Sequence, residues 1–353
     1  MARSFHKNKK PRDRFTVEIE SLDQDGRGVA HREGKAVFVE GALPHEVVTY
    51  ERIRNKTSFE IGRLVELHNE GPLRVKPRCP HFGLEPGCCG GCAMQHLDPF
   101  AQVAIKQRVL LDALWHIGKT KPENILPPIY GPFWGYRHRA RFTVRDVTKK
   151  GGVLVGFHER SSSYVADMHS CAILPKHVSD MIDPLRELVS TLTIRQRLPQ
   201  IEVAVDGHGR TALVFRNLEP LGEGDEEKLL AFGDQYGADI WLQAKGPDSA
   251  APIRPELENA LGLYLSEFDV RIAFKPTDFT QVNHALNEYG HSDFDYPIAF
   301  EGYVAETFAE FVINPKPLNR LWMVEDEQSA SDASGLKKGG CRMAAGNTIS
   351  LAM

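Results

Sequence analysis

The segment Cys79-Pro-His-Phe-Gly-Leu-Glu-Pro-Gly-Cys-Cys-Gly-Gly-Cys92 divides the chain in two. Together with its flanks (71–96) it is rich in Gly, Pro and Cys and shows little periodicity, so it reads as a loop. Two residues between Cys89 and Cys92 let both thiolates turn toward one metal, and Gly90 and Gly91 permit the positive φ that such turns use. Cys79 lies upstream, and Pro80 stiffens the chain behind it. Cys88 competes with Cys89 as second ligand; Cys89 is preferred because it completes the Cys-Gly-Gly-Cys turn. Cys171 is remote, but a second loop can deliver it. Four thiolates on Cys79, Cys89, Cys92 and Cys171 suit either tetrahedral zinc or an iron–sulfur cluster, and spacing leaves the choice open. Buried free cysteines are common, yet three crowded into a Gly/Pro loop are hard to read as core packing.

Upstream of this loop, Phe15-Thr-Val-Glu-Ile-Glu alternates apolar and polar residues, the pattern of a half-buried strand. Ala36-Val-Phe-Val, Glu46-Val-Val-Thr-Tyr and Phe59-Glu-Ile-Gly-Arg-Leu-Val follow, with turn signals at Asp25-Gly26 and Glu33-Gly34. Short strands at this spacing predict a small closed β-barrel over 15–68. Residues 1–14 form a basic arm, carrying six Lys or Arg against Asp13. It reads equally as a solvated tail or a nucleic-acid contact.

Downstream, Asp98 can cap a helix that starts on Pro99. Phe100, Val103, Leu110, Leu111, Leu114 and Ile117 would form its apolar side, and Gly118 would end it. From there to about residue 285 the pattern is mixed α/β. Tyr136–Arg145 predicts a strand with Arg137, Arg139, Arg141 and Arg145 on one face and His138, Ala140, Phe142 and Val144 on the other. An arginine row without acids suits a phosphate backbone; the plainer reading is a solvated face with acid partners elsewhere. Leu154-Val-Gly-Phe, Ile201–Asp206, Thr211–Phe215 and Asp239–Gln243 read as further strands, and Asp225–Gly233 as a helix. No internal repeat is found.

The chain's 353 residues allow two or three domains at roughly 100–200 residues each. Its net charge of −4 argues against a uniformly basic coat but permits a local basic face. No run approaches the ~18 apolar residues of a membrane span. The basic N-terminus has no apolar stretch behind it, so it is not a secretory signal, and a cytoplasmic location is expected. In that reducing compartment clustered cysteines bind metal or do chemistry more often than they form disulfides.

Cys79-Pro-His-Phe-Gly followed by Cys89-Gly-Gly-Cys92-Ala-Met-Gln95-His96 closely resembles the cluster loop of bacterial 23S rRNA (uracil-C5)-methyltransferases of the RlmD (RumA) type. Residues 15–67 resemble that family's TRAM barrel, an OB-like RNA-binding module. Gly135-Tyr-Arg-His-Arg-Ala-Arg-Phe resembles its central strand, His169-Ser-Cys171 the segment with the fourth ligand, and Phe274–Asn283 the entry to its catalytic domain. Leu84-Glu-Pro-Gly-Cys88 makes the first cysteine spacing longer than the family's usual one. The resemblance implies a [4Fe–4S] cluster on Cys79, Cys89, Cys92 and Cys171, contact of Gln281 with S-adenosylmethionine, and a 23S rRNA substrate methylated at uracil C5; the strand alternation offers Arg137, Arg139 and Arg141 as its RNA contacts. No protein partner is implied. The implied chemistry is a cysteine thiolate adding to uracil C6, methyl transfer to C5, and removal of the C5 proton by a base.

That chemistry needs a doubly wound domain with a Gly-rich turn. Only 70 residues follow Asn283, short of the ~100 or more expected. They show no strand leading into a Gly-x-Gly turn, and the surroundings of Cys341 do not match a nucleophile motif. The expected architecture is therefore an α+β multidomain chain: arm 1–14, TRAM barrel 15–68, cluster loop 69–98, central α/β domain 99–285, and a divergent tail 286–353. The family's methyltransferase domain is not evident in this reading. The chain is expected to bind RNA but to be catalytically incomplete, with the family's S-adenosylmethionine site in doubt. The rival readings are a non-catalytic RNA-binding module with a structural cluster and, last, an electron-transfer protein.

Overall fold

The computed structural model describes residues 13–265, 269–286 and 348–349. Most of the basic arm, nearly all of the C-terminal tail and Cys341 lie outside the described residues. The chain divides into two compact units. One runs up to Ile105 and includes Pro132–Asp278; the other takes Lys106–Gly131 and the residues from Phe279 onward.

The first unit begins with six strands, β1 (Arg14–Glu18), β2 (Ser21–Leu22), β3 (Gly28–Arg32), β4 (Lys35–Glu40), β5 (Val47–Asn55) and β6 (Phe59–Leu67). Their order is β1-β5-β6-β4-β3-β2. β2 continues β1 after two residues, and Glu20 N–H donates to Val29 O at 2.8 Å while Ile19 N–H donates to Glu46 O at 2.8 Å. One bent strand therefore serves both edges, and the sheet closes into a barrel that leaves few unpaired edge groups. Alternation puts Val17, Ile19, Val37, Val39, Val48 and Tyr50 inside. Glu33 and Gly34, with φ of 51° and 77°, form the two-residue turn between β3 and β4; positive φ at both positions matches the twist of the paired strands. At Gly62 an added Cβ would lie 2.1 Å from the Tyr50 ring. The missing side chain makes room for the largest residue of the barrel core.

No helix or strand lies between Leu67 and Pro99, as the Gly/Pro/Cys composition predicts. Helix α1 (Pro99–His116) then starts where expected. Asp98 Oδ1 accepts from the amides of Phe100 at 3.0 Å and Ala101 at 3.1 Å, which supplies an acceptor for donors that have no helical partner. Val103, Leu110 and Leu114 are buried as predicted. Phe100 and Ile117 are corrected: they are 60% and 57% exposed. Phe100 stands in the first turn with its ring edge-on to Phe133 at 5.1 Å, and Ile117 follows the last helical residue, so neither side chain joins the buried face.

The second sheet of this unit has the order β13-β12-β11-β10-β8-β9. Its strands are β8 (Arg139–Val147), β9 (Gly152–Gly156), β10 (Gln200–Val205), β11 (Thr211–Arg216), β12 (Ala238–Gln243) and β13 (Ala250–Pro252). All neighbours are antiparallel except β11 and β12. That parallel pair needs a crossover, and α4 (Asp225–Tyr236) supplies it. Two further helices, α2 (Lys176–Asp180) and α3 (Ile182–Thr191), follow the segment that carries Cys171. They were not anticipated, although Ile182, Leu185 and Val189 recur at helical spacing. These three side chains pack with Phe142, Val144, Val153 and Val155 in the main core. A hairpin of β14 (Gly262–Leu265) and β15 (Val270–Ala273) closes the described part of the unit. In the other unit β7 (Asn124–Ile125) pairs in parallel with β16 (Thr348–Ile349).

Candidate cysteine-lined metal site and arginine strand

Cys79, Cys89, Cys92 and Cys171 line one cavity of about 90 Å³, with His81, Phe82, Gln95 and Arg137 among its other walls. The four cysteines singled out from sequence are thus brought together. Cys88 does not line this cavity; its Sγ lies against Gly83, where an added Cβ would be 2.7 Å away.

Backbone hydrogen bonds fold the loop into this shape. Cys89 N–H donates to His81 O at 2.8 Å, and Phe82 N–H donates to Cys79 O at 3.2 Å. Gln95 Oε1 accepts from Cys79 N–H at 3.1 Å. The connection after β9 then docks along the loop: Gly90 N–H donates to His158 O at 2.9 Å, and Arg160 N–H donates to Cys88 O at 3.0 Å. A Cβ on Gly90 would lie 2.9 Å from Arg160 Cα, so this close approach requires glycine. Cys171 enters from the other side, its N–H held by Ser179 Oγ at 2.9 Å. His81 Nε2 accepts from the His169 amide at 3.2 Å, joining the Cys79 and Cys171 segments.

Burial favours the protonated form of the Cys89, Cys92 and Cys171 thiols. It pushes Cys171 up to about 11, with the neighbouring Cys92 and Cys79 adding to the rise. Cys89 and Cys92 are raised for the same first reason, while Arg160 acts against the rise at both and Arg137 at Cys92. A cationic group entering the cavity would have to displace these protons, and its charge would offset the cost of burying thiolates. The donor set, four soft thiols around one enclosed space, suits such a group. Among the described residues, no three His, Cys, Asp or Glu side chains stand close enough to hold a single metal ion. The four thiols line one cavity, but neither the zinc site nor the iron–sulfur site that their number suits is shown by this arrangement.

The arginine strand follows its predicted alternation, with Ala140, Phe142 and Val144 buried and Arg141 and Arg145 exposed. Two expectations are corrected. The strand starts at Arg139, so Arg137 lies outside it and lines the cysteine cavity. The face also has an acid: register places Glu202 of β10 opposite Arg141, and they pair at 3.0 Å. A one-strand reading could not show an acid supplied by the neighbouring strand. Arg139 donates to the carbonyls of Pro276, at 3.0 Å, and Asp278. Arg141 remains 68% exposed.

In the second unit Gln281 is half-buried. Near it in sequence, the buried Thr280 Oγ1 and Asn283 Oδ1 have no hydrogen-bond partner. Unpartnered buried oxygens carry a desolvation cost that a bound polar molecule or water would relieve. Thr280 and Asn283 both lie in the Phe274–Asn283 stretch singled out from sequence, but no role was assigned to them there, nor to Arg160, Ser179 and His81 as supports of the cysteine loop.

Comparison with known proteins bears on both regions. Residues 8–50 match the TRAM domain, in agreement with the barrel. The 23S rRNA (uracil(1939)-C(5))-methyltransferase RlmD of Cupriavidus pinatubonensis is 58% identical over 277 residues, 77% of this chain and 58% of that protein. The RlmD of Bordetella parapertussis is 56% identical over 271 residues, 77% of this chain and 57% of that protein. The chain thus spans a little under three fifths of the length of these relatives. Among solved structures, the Pyrococcus abyssi tRNA (uracil-54, C5)-methyltransferase, in complex with S-adenosyl-L-homocysteine, matches with a TM-score of 0.55 at 18% identity, over 78% of this chain and 64% of that one. This corrects the expectation that a methyltransferase fold is not evident: over the shared length the chain has the fold of a uracil-C5 methyltransferase. The sequence reading sought that fold only in the Gly-rich turn of a catalytic domain, whereas the likeness extends over most of the chain. No helix among the described residues is long and apolar enough to cross a membrane. With identity above one half over three quarters of its residues, the chain belongs to the RlmD family of 23S rRNA (uracil-C5)-methyltransferases.

Proposed function

We propose that this chain binds 23S rRNA for S-adenosylmethionine-dependent methylation at uracil C5, and that Cys79, Cys89, Cys92 and Cys171 hold a [4Fe–4S] cluster that shapes its RNA-binding part. The observation that carries the cluster reading is the convergence of four thiols from two distant segments on one cavity. The choice of a polynuclear group over a single zinc ion rests on the resemblance of the cysteine loop to the family's cluster loop, and four thiolates are the usual ligand set of such a group. The cluster, when bound, would cross-link the loop to the segment entering α2. The barrel and the exposed part of the arginine strand offer RNA surface: Arg141 has its guanidinium in solvent, where a phosphate can share it with Glu202. Arg137 faces the cavity and is better placed to balance thiolate charge than to meet RNA.

S-adenosylmethionine supplies the methyl group when bound. Gln281 would bind it, with Thr280 and Asn283 providing oxygen acceptors near it in sequence. The cavity-lining cysteines are committed to the cluster in this reading, which leaves them unsuited to attack uracil C6. The deciding experiment is transfer of labelled methyl from S-adenosylmethionine to unmodified 23S rRNA by the purified chain. Methylation at uracil C5 supports the whole reading. Salt-sensitive RNA binding without methyl transfer, and without heat of S-adenosylmethionine binding, reduces it to RNA recognition alone.

A further inference from the structure

We propose that Arg160 is a positioning residue that clamps the cysteine loop into its ligating shape and places a fixed positive charge beside it. Its guanidinium donates through Nε to Gly83 O at 3.2 Å and through Nη2 to Cys92 O at 2.5 Å. These carbonyls belong to the two halves of the loop, one following Cys79 and one ending the Cys-Gly-Gly-Cys turn. The same cation sits 5.6 Å from the centre of the Phe82 ring, a cavity wall, within the ~6 Å at which ring and cation attract. Its backbone closes the seam from the other side by donating to Cys88 O at 3.0 Å. Cys89 also forms a strand-like bridge with Glu159. Lys150 Nζ donates to Glu159 Oε1 at 2.9 Å, which anchors the docked segment to the turn before β9.

Two physical requirements meet in this side chain. The first is geometric. Two carbonyls on separate strands of a loop need two donors in a fixed plane, which the guanidinium fork supplies and a single ammonium does not. The second is electrostatic. Four thiolates with inorganic sulfide carry net negative charge, and burying that charge is costly without a nearby cation. Arg160 brings such a cation to the loop, with Nη2 at 2.5 Å from the Cys92 carbonyl oxygen. The residue is distant in sequence from the motif it serves, 68 positions from Cys92.

The inference rests on the cluster reading, and the test separates the two. The full chain and its R160K, R160Q and F82L variants are loaded anaerobically with iron and sulfide. Iron and acid-labile sulfide per chain are measured, and the cluster's visible absorbance is followed after a chelator is added. Amide hydrogen exchange at Cys89 and Gly90 is followed in the iron-free chain. Loss of a supporting contact of this kind costs on the order of 10-fold in metal retention. R160Q should therefore lose its cluster about tenfold faster than the parent chain. R160K should lose it nearly as fast, because it keeps the charge but not the fork. Both should exchange faster at Cys89 and Gly90 with far-UV circular dichroism unchanged. F82L, which keeps Arg160 and removes the ring beneath it, should loosen the same amides to a smaller extent; it carries the test where R160Q lowers the overall fold signal. If R160K behaves as the parent while R160Q does not, charge alone matters and the clamp is overturned. If the loaded parent and all variants release iron alike, the inference fails while the cluster reading stands. A parent chain that takes up neither iron nor sulfide defeats the cluster reading and this inference with it.

Discussion

Cys88 and Cys89 are adjacent in the chain yet occupy different surroundings. The Cys89 thiol opens into the cavity, and its sulfur also accepts from the Gly91 amide at 3.4 Å. The Cys88 side chain turns back on Gly83. The cluster reading therefore predicts that C89A lowers iron content sharply and C88A leaves it near that of the parent chain. Metal analysis of both variants after the same anaerobic loading checks this; equal losses would mean that the two thiols exchange roles. The motif pointed to Cys89 through the Cys-Gly-Gly-Cys turn alone. The supports around it were not legible: Arg160 and Ser179 belong to no motif and reach the loop only through tertiary folding, and His81, though inside the motif, shows its role only once its Nε2 meets the His169 amide. Arg137 illustrates the opposite error. Period-two reasoning assigned it to the arginine face, but the strand begins two residues later, and strand ends are set by which neighbour can pair rather than by alternation.

At the scale of elements, the barrel owes its closed end to one buried carboxylate. Glu46, fully buried just before β5, accepts from Leu43 N–H at 2.8 Å and Gly71 N–H at 3.2 Å. Arg74 adds donors at 2.5 and 2.7 Å. Burial alone would raise the carboxyl, but the bonds from Arg74, Leu43 and Gly71 outweigh it and hold Glu46 below the usual carboxylate range. A folded-state value below the unfolded one gives stability that is present above the unfolded value, ~4.3, and lost as pH falls through the folded one. E46Q leaves Arg74 without its anion and should cost about 3 kcal/mol at neutral pH. Urea titration at neutral pH and again below pH ~4 checks it: the gap between parent and E46Q should narrow in acid. A gap that is absent at neutral pH, or that widens in acid, would contradict this account. Much of the barrel was readable, since β1, β4, β5 and β6 announce themselves by alternation. Helices α2 and α3 were overlooked because the reading followed Cys171 as chemistry and not the apolar spacing behind it. The barrel's closure was inferred as a type; the way one bent strand serves both edges depends on long-range pairing that periodicity does not encode.

For the molecule as a whole, a net charge of −4 does not announce an RNA-binding protein. What acts on a phosphate backbone is the local field, and each phosphate neutralised contributes close to one unit to the slope of log affinity against log salt. The two central arginines of β8 should differ in this respect. Arg141 is exposed and, among the described residues, pairs with Glu202, so it can meet a phosphate without unfolding anything. Arg139 is tied to the carbonyls of Pro276 and Asp278, so its fork is already engaged in holding the segment that follows β15. R141A should weaken binding to 23S rRNA fragments about uniformly across sequences and reduce the salt slope by ~1. R139A should mainly lower the stability of the 274–278 segment, seen as faster amide exchange there. A salt series of filter-binding isotherms on both variants, read beside hydrogen exchange, separates these roles. An unchanged slope in R141A would remove the arginine strand from the RNA surface and leave recognition to the barrel. That outcome would also agree with the acid that register brought to this face, because a guanidinium satisfied by Glu202 gains least from a phosphate.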